Sequence, residues 1–437
     1  MMSSAVSMRL SIPELSRYIL LWVLLLSSHA VIANTEDTYK QVSPSVLQVL
    51  ILDNTSGSKS SFGSGFFVEG GFVITNFHVI SDLVFHPERH RAEYRNADDE
   101  RGGLTLIHFD VVNDLAIMRS DDYVGPSLAI AGTPPRNGSR IYAMGHPHDL
   151  GLSVVEGTYN GLLAQNMIPR IHLTGSLNPG MSGGPALDQA NELVGVNVAR
   201  MGNQVSFLVP ASYVIRLLEE SDEDGVDDVD LAVDFKKRVS EQIARHQKTY
   251  LEPIIQQPFA TISLGDYSAA GELSGAFECW GSTSEPDERL YSSSSYKCET
   301  AQYIYLTTDD YTGTVEYRHE YFHTEELGAQ RFYAFLEKHM QTIHAETSAD
   351  EKHMTNFACQ EALVENNGID MKLVSCIRAH RIIDDLYDFF MLLTTVEQDD
   401  EALYSVLMLA GVSHDNGLRF QHRYLDAISY GEGGDAR

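Results

Sequence analysis

Between residues 42 and about 217 the apolar side chains come in short runs instead of helical stripes. Val46 to Leu52, Gly65 to Val68, Leu104 to Phe109 and Leu193 to Val198 are rich in strand-forming side chains, and clusters of Gly, Pro, Asn and Asp separate them. Runs of this length with such boundaries predict strands, so this part reads as all-β, with little helix before Tyr213.

The pattern then changes. Leu231, Phe235, Val239 and Ile243 recur every four residues, which predicts an amphipathic helix to about Tyr250, with Pro253 and Pro258 expected to stop it. Such a helix can pack on either flanking domain or on a second copy. Further on, Phe277-Glu278-Cys279 and Phe357-Ala358-Cys359 each stand a similar interval before another cysteine. After the first pair, Tyr303 to Leu306 and Val315 to Phe322 read as strands leading into a helix from Glu325 to His344. After the second, Leu386 to Val396 and Leu403 to Val412 lead into Leu418 to Ile428. The repetition predicts a diverged duplication with a period of about 80 residues, and strands followed by helices predict an α+β domain.

Between these regions lies the acidic run from Glu219 to Asp230, read as a solvated linker. The predicted division is therefore a signal peptide over 1–33, a β domain over 34–218, the linker and amphipathic helix over 219–258, and a disulfide-containing α+β domain over 259–437. Within the run, Asp222, Asp224 and Asp228 around Gly225 resemble part of a calcium loop. The closing bidentate glutamate is missing, so no metal is assigned there and no cofactor is expected.

The first residues set the compartment. Arg9 and Arg17 precede an apolar run from Ile19 to Leu26, and the small residues Ser28, Ala30 and Ala33 follow. That order predicts a secretory signal cleaved after Ala30 or Ala33, and hence a periplasmic or secreted protein. A membrane anchor is the competing reading, although Tyr18 to Ala33 is short for a span and is interrupted by Ser27, Ser28 and His29. All four cysteines lie in the last domain. An even number in an exported chain predicts two disulfides, with nearest neighbours paired as Cys279–Cys298 and Cys359–Cys376, although three connectivities are open to four cysteines. Their spacing does not suit a paired-CxxC zinc site.

Composition narrows the partners. With 437 residues of which 43% are hydrophobic and 21% charged, two domains can each bury a core. The formal net charge of −30 speaks against nucleic acid, whose phosphates need clustered Lys and Arg.

Three local motifs carry chemistry. Thr75-Asn76-Phe77-His78-Val79 comes first, Asn113-Asp114-Leu115-Ala116-Ile117 second, and Gly180-Met181-Ser182-Gly183-Gly184-Pro185 third. A serine hydroxyl needs an imidazole to take its proton during attack, and that imidazole needs a buried carboxylate to hold its tautomer. Ser182 is the expected nucleophile, His78 the general base and acid, and Asp114 the orienting carboxylate. The backbone N–H groups of Gly180 and Ser182 are the expected oxyanion donors.

Residues 42 to about 217 resemble the protease domain of the HtrA (DegP-like) trypsin-like serine proteases. Beyond the three motifs, the similarity rests on Val42-Ser43-Pro44-Ser45-Val46, Gly63-Ser64-Gly65-Phe66-Phe67-Val68, Tyr142-Ala143-Met144-Gly145-His146-Pro147, Leu193-Val194-Gly195-Val196-Asn197 and Phe207-Leu208-Val209-Pro210. The resemblance implies two packed six-stranded β-barrels with the triad between them, a serine endopeptidase acting on unfolded or misfolded polypeptide, and a trimer as the family habit. It also implies a specificity pocket bordered by Ser176, Val196 and Asn197. Ser176 stands six residues before the nucleophile, where trypsins carry an acid, so a small or medium apolar P1 residue such as Val, Ala or Leu is expected. Two departures stand out. Met181 replaces the usual Asn or Asp, and nothing after Leu218 resembles the carboxylate-binding loop of a PDZ domain, so the C-terminal domain is expected to recruit substrate, bind a regulatory partner or restrain the site.

Two histidine motifs point elsewhere. His319-Glu320-Tyr321-Phe322-His323 matches a zincin signature, but Val315, Tyr317, His319, Tyr321 and His323 alternate with a period of two, which predicts a strand. His146-Pro147-His148-Asp149 falls in a loop of the second barrel and is read as structural. The reading from another functional class is a catalytically silent protease fold that holds peptides as a scaffold.

Overall fold

The computed structural model describes residues 34–431 apart from 121, 201–202, 224–234, 285–289, 301–302, 309 and 342–351. The expected signal peptide, Asp224, Asp228, Leu231 and the last turn of the helix expected to reach His344 lie outside the described residues.

After a short helix α1 (Thr35–Val42), six strands form the first closed barrel: β1 (Val46–Asp53), β2 (Lys59–Phe67), β3 (Phe72–Thr75), β4 (His90–Arg95), β5 (Arg101–Asp110) and β6 (Leu115–Ser120), in the order β1-β2-β3-β6-β5-β4. Helix α2 (Phe77–Phe85) interrupts them between β3 and β4. The second barrel closes as β10-β11-β12-β9-β8-β7, from β7 (Arg140–Gly145), β8 (Ser153–Leu163), β9 (Arg170–Thr174), β10 (Pro185–Leu187), β11 (Leu193–Arg200) and β12 (Ser206–Pro210). Closure pairs every edge, which is how short apolar strands of this kind avoid exposed ladders. The two barrels meet through one apolar cluster that includes Val46, Phe66, Ile74, Leu187, Val196 and Val209, with Val214 and Leu217 of α3 (Ala211–Glu223) on its flank.

Helix α4 (Phe235–Ile255) joins the halves. Its 21 residues span about 31 Å at 1.5 Å each. Phe235, Val239 and Ile243 enter the first-barrel core, whereas Leu251 and Ile255 enter the core of the C-terminal region. The helix therefore packs on both neighbours instead of one. It also runs past Pro253, which forfeits one backbone hydrogen bond within its last turn. Burial of Leu251 and Ile255 on either side of that proline holds the turn in place.

The C-terminal region is built on a seven-stranded antiparallel sheet in the order β15-β16-β19-β23-β22-β21-β20. Its strands are β15 (Phe277–Ser284), β16 (Ser292–Thr300), β19 (Val315–His323), β20 (Ala358–Asn366), β21 (Ile369–Ala379), β22 (Tyr387–Thr395) and β23 (Glu401–Val412). Side chains alternate between the two faces. Leu403, Leu407, Met391 and Leu393 pack towards Phe420 and Tyr424 of α6 (His414–Asp426), while Ala402, Tyr404, Phe390 and Leu392 pack towards Phe332 and Leu336 of α5 (Ala329–Met340). A small sheet, β13 (Thr261–Leu264), β14 (Tyr267–Ala270) and β24 (Ser429–Tyr430), lies beside it. The fold is thus a trypsin-like double barrel followed by further sheets and helices.

Cys279 is bonded to Cys298 and Cys359 to Cys376. Each pair sits directly opposite in register, on the outer hairpins β15–β16 and β20–β21. The two halves of the sheet differ between those staples. The second contributes four long strands, whereas the first contributes three. Residues expected to form the missing strand, around Tyr303 to Leu306, leave the sheet and make a separate two-stranded hairpin, β17 (Ile304–Tyr305) with β18 (Tyr311–Thr312).

His319 and His323 lie on β19. Four residues apart on a strand they are about 13 Å apart along the backbone, too far to share a metal ion. His319 is fully buried, bonded to the Ala270 carbonyl at 3.0 Å and to Ser405 at 2.8 Å, and Glu320 pairs with His339.

Candidate active site

The site is assembled from three turns. β3 ends at Thr75, Asn76 occupies the position before α2, and His78 falls in the first turn of that helix. Phe77 anchors the turn, buried with its ring centroid 5.2 Å from that of Phe109. Asp114 sits in the turn between β5 and β6 with φ of 59°, a left-handed conformation that aspartate tolerates better than most residues. Asp110 caps this turn by accepting from the backbone and side chain of Asn113, and the Asn76 amide donates to the Asp114 carbonyl at 2.7 Å.

The result is a double contact. Asp114 Oδ2 lies 2.8 Å from His78 Nδ1, and Oδ1 accepts the backbone N–H of His78 at 2.9 Å. An ionised carboxylate only accepts, so Nδ1 carries the proton and Nε2 keeps its lone pair. His78 is 7% exposed and Asp114 1%, which puts the pair in a medium where electrostatic effects are strong.

The loop 180–184 is held from below. Ser64 donates its backbone N–H to the Ser182 carbonyl at 2.7 Å and its hydroxyl to the Gly180 carbonyl at 2.8 Å. Gly183 donates to the Asn197 carbonyl and Gly184 to that of Met181. Two of its glycines are required sterically. Gly180 has φ of +94° and Gly183 φ of +82°, and a Cβ would come within 2.4 Å of the His146 carbonyl oxygen or 2.2 Å of that of Ser64. Among the described residues no acceptor takes the N–H of Gly180 or Ser182. Met181 is fully buried, in an apolar cluster with Ala186, Leu177 and Leu208. The Ser182 hydroxyl donates to the Val198 carbonyl at 3.4 Å and makes no hydrogen bond with His78.

His78 and Ser182 share one cleft of about 200 Å³ with Leu177, Asn178, Pro179, Asn197 and Val198. Of the three positions expected to border a specificity pocket, Asn197 lines this cleft. Its amide also braces the loop by donating to the carbonyls of Met144 and Met181. Val196 lies elsewhere, in the core between the barrels, because alternation along β11 turns it to the opposite side from Asn197. Ser176 is exposed on the surface, and Leu177 to Pro179 form the wall in its place.

His146-Pro147-His148-Asp149 supports the 180–184 loop. His146 is buried beside Ser64, and burial, with Arg95 nearby, pushes its imidazole down to about 4. The His148 N–H donates to the Pro179 carbonyl at 2.9 Å. Asp149 accepts from Gln48 and Arg95 and pairs with Lys59; bonds to Lys59 and Gln48 lower it to about 2. Among the described residues no group of three or more His, Cys, Asp or Glu could hold a metal ion.

Two neighbours of the site carry no motif of their own. Arg170 on β9 is buried, where it feels the charges of Asp114 and Asp110. Tyr305, from the β17–β18 hairpin, places its ring centroid 5.6 Å from that of His78, and with Thr308 it lines the cleft.

The family described as "Trypsin-like peptidase domain" matches residues 63–196. The chain is 30% identical over 184 residues to a "Probable periplasmic serine endoprotease DegP-like" of Marinomonas, covering 39% of this chain and 37% of that one. It is 26% identical over 208 residues to human "Serine protease HTRA3", covering 44% and 46%. Against "Protease Do-like 5, chloroplastic" of Arabidopsis thaliana it is 26% identical over 213 residues, covering 41% and 66%. The chain therefore spans less than two thirds of the length of these relatives, and the β15–β23 sheet lies outside the family match. The part of this chain that carries His78, Asp114 and Ser182 is a trypsin-like peptidase domain with HtrA/DegP homologues.

Proposed function

We propose that the protein is an exported serine endopeptidase working through a Ser182 acyl-enzyme. The observation that carries this is His78, held by Asp114, facing the same cleft as Ser182, with the N–H groups of Gly180 and Ser182 unclaimed among the described residues. In the acylation step Ser182 Oγ bonds to the peptide carbonyl carbon, its proton passes to His78 Nε2, and Asp114 stabilises the imidazolium. The carbonyl electrons move onto the oxygen, which the N–H groups of Gly180 and Ser182 receive. Collapse of this adduct breaks the C–N bond, and His78 returns the proton to the departing amine. Water then repeats the sequence to release the acid.

The cleft supports small or medium apolar side chains, because Leu177, Pro179 and Val198 line it and none of its described lining residues is acidic. Unfolded polypeptide is the substrate class we assign, since such a cleft must receive an extended chain. Two disulfides suit an oxidising compartment outside the cytosol.

The test is casein hydrolysis together with labelling by a peptidyl phosphonate, run on the wild type and on Ser182→Ala. Cleavage and labelling in the wild type with neither in the variant are expected. A folded wild type that does neither would overturn the reading.

A further inference from the structure

We propose that Tyr305 is a positioning residue for His78, so that the C-terminal region supplies one wall of the catalytic centre. The inference rests on the protease reading above for its consequence, but its geometry stands independently.

The β17–β18 hairpin leaves the seven-stranded sheet at the position where the other half of that sheet has a full strand. Its departure is anchored at several points. The Gly313 N–H donates to the Ala410 carbonyl of β23, Asp310 pairs with His353, and the rings of Tyr303 and Tyr311 lie 4.4 Å apart between centroids. Ile304 and Leu306, on either side of Tyr305, are buried in the core of the first barrel, in the same cluster as Phe77 and Phe85 of α2. Alternation along the strand then turns Tyr305 the other way, into the cleft.

What the ring does there follows from its neighbours. It lies 5.6 Å from the His78 ring at an angle of 50°, and its surroundings include the charges of Asp114 and Arg170. Burial, reinforced by Asp114, raises its hydroxyl to about 12, so the side chain stays neutral at working pH. A neutral aromatic wall at this place keeps water from the His78–Asp114 hydrogen bond and limits rotation of the imidazole away from Ser182. It also lies within cation–π range of the imidazolium that forms when His78 takes the serine proton. The space of about 200 Å³ left beside it shows that the ring bounds the cleft without filling it.

The experiment compares Tyr305→Ala, Tyr305→Phe and Tyr305→Leu in the full chain. One readout is the inactivation rate constant and apparent affinity for the peptidyl phosphonate. The other, independent of catalysis, is the far-downfield NMR signal of the His78 Nδ1 proton, observed in labelled protein carrying Ser182→Ala. The alanine variant is expected to lose about ten- to hundred-fold in the inactivation rate with little change in affinity, and to lose the proton signal to solvent exchange. Tyr305→Phe is expected to keep both, and Tyr305→Leu, which retains apolar bulk, to keep the signal. An unchanged signal and rate in Tyr305→Ala would overturn the proposal. So would faster inactivation, which would make the ring an obstruction. If the wild type is not labelled at all, the protease reading fails, while the proton signal still decides whether Tyr305 shields His78.

Discussion

Asp114 accepts from His78 twice, from Nδ1 at 2.8 Å and from the backbone N–H at 2.9 Å. The second bond ties the carboxylate to the first turn of α2, so the side chain it orients and the helix that carries it move together. One residue thus sets both the tautomer and the position of the imidazole.

Replacing that carboxylate by an amide keeps the shape and reverses the hydrogen-bond logic. Asp114→Asn can leave the proton on Nε2, where it cannot accept from Ser182. We expect kcat on a peptide substrate to fall by roughly 10⁴-fold with the melting temperature nearly unchanged. Steady-state kinetics with circular dichroism of the same sample checks this.

Gly180 tests the proposed oxyanion site separately. An alanine there meets both an unfavourable φ of +94° and the His146 carbonyl oxygen at 2.4 Å, so the backbone must turn. Loss of one aimed N–H predicts a decrease of about 10²- to 10³-fold in kcat. The His78–Asp114 proton resonance should persist, since neither residue touches the altered peptide.

Met181 is buried in an apolar cluster and makes its hydrogen bonds through its backbone alone. Met181→Asp would place a carboxylate among Leu177, Ala186 and Leu208, and should destabilise the second barrel by about 3 kcal/mol or more. Met181→Leu should stay within about 1.5 kcal/mol of the wild type. Urea unfolding of the three proteins distinguishes these outcomes.

Acid should weaken the fold through its buried and half-buried histidines. Burial lowers His146, His246 and His319 to about 4 each. A folded pKa below the unfolded value means that the stabilising contribution is whole above pH 6.5 and is lost as pH falls from about 6.5 towards 4, where the unfolded chain binds protons that the folded chain refuses. The melting temperature should therefore be level above pH 7 and drop steeply below 6. His319, between the Ala270 carbonyl and the Ser405 hydroxyl and stacked on Tyr424, is the test position. His319→Gln can meet both hydrogen bonds without titrating, so it should reduce the slope between pH 6 and 4.5 by about one proton. An identical slope would remove His319 from the account.

The parts legible in the chain were those whose geometry is local. His78, Asp114 and Ser182 are recognisable because each sits in a turn that needs particular neighbours: an aromatic anchor after Asn76, an aspartate able to adopt a left-handed φ, glycines where a Cβ would strike a carbonyl. The alternation along β19 was equally local, and it separates His319 from His323 whatever surrounds them. Pro253 was less informative, because a proline signals the loss of one hydrogen bond and says nothing of the burial of Leu251 and Ile255 that outweighs it. Analogy sets Val196 and Ser176 at a pocket wall; in the structure Val196 is buried in the core between the barrels, Ser176 is exposed, and neither lines the cleft that holds His78 and Ser182.

The sequence by itself determined the all-β character of the first part, the order of His78, Asp114 and Ser182, the helix that follows and the strand character of the zincin-like run, since all of these depend on periodicity or on backbone conformations available to few residue types, whereas closure into two barrels is what the family resemblance implies. Only the tertiary structure decided that α4 joins both cores, that the paired cysteines face each other across outer hairpins, and that Tyr305 reaches His78 from a region 227 residues further along. Such a contact leaves no mark in spacing. It depends on where two separately folded cores come to rest against each other, and the free energy that sets this is spread over the apolar surface they share.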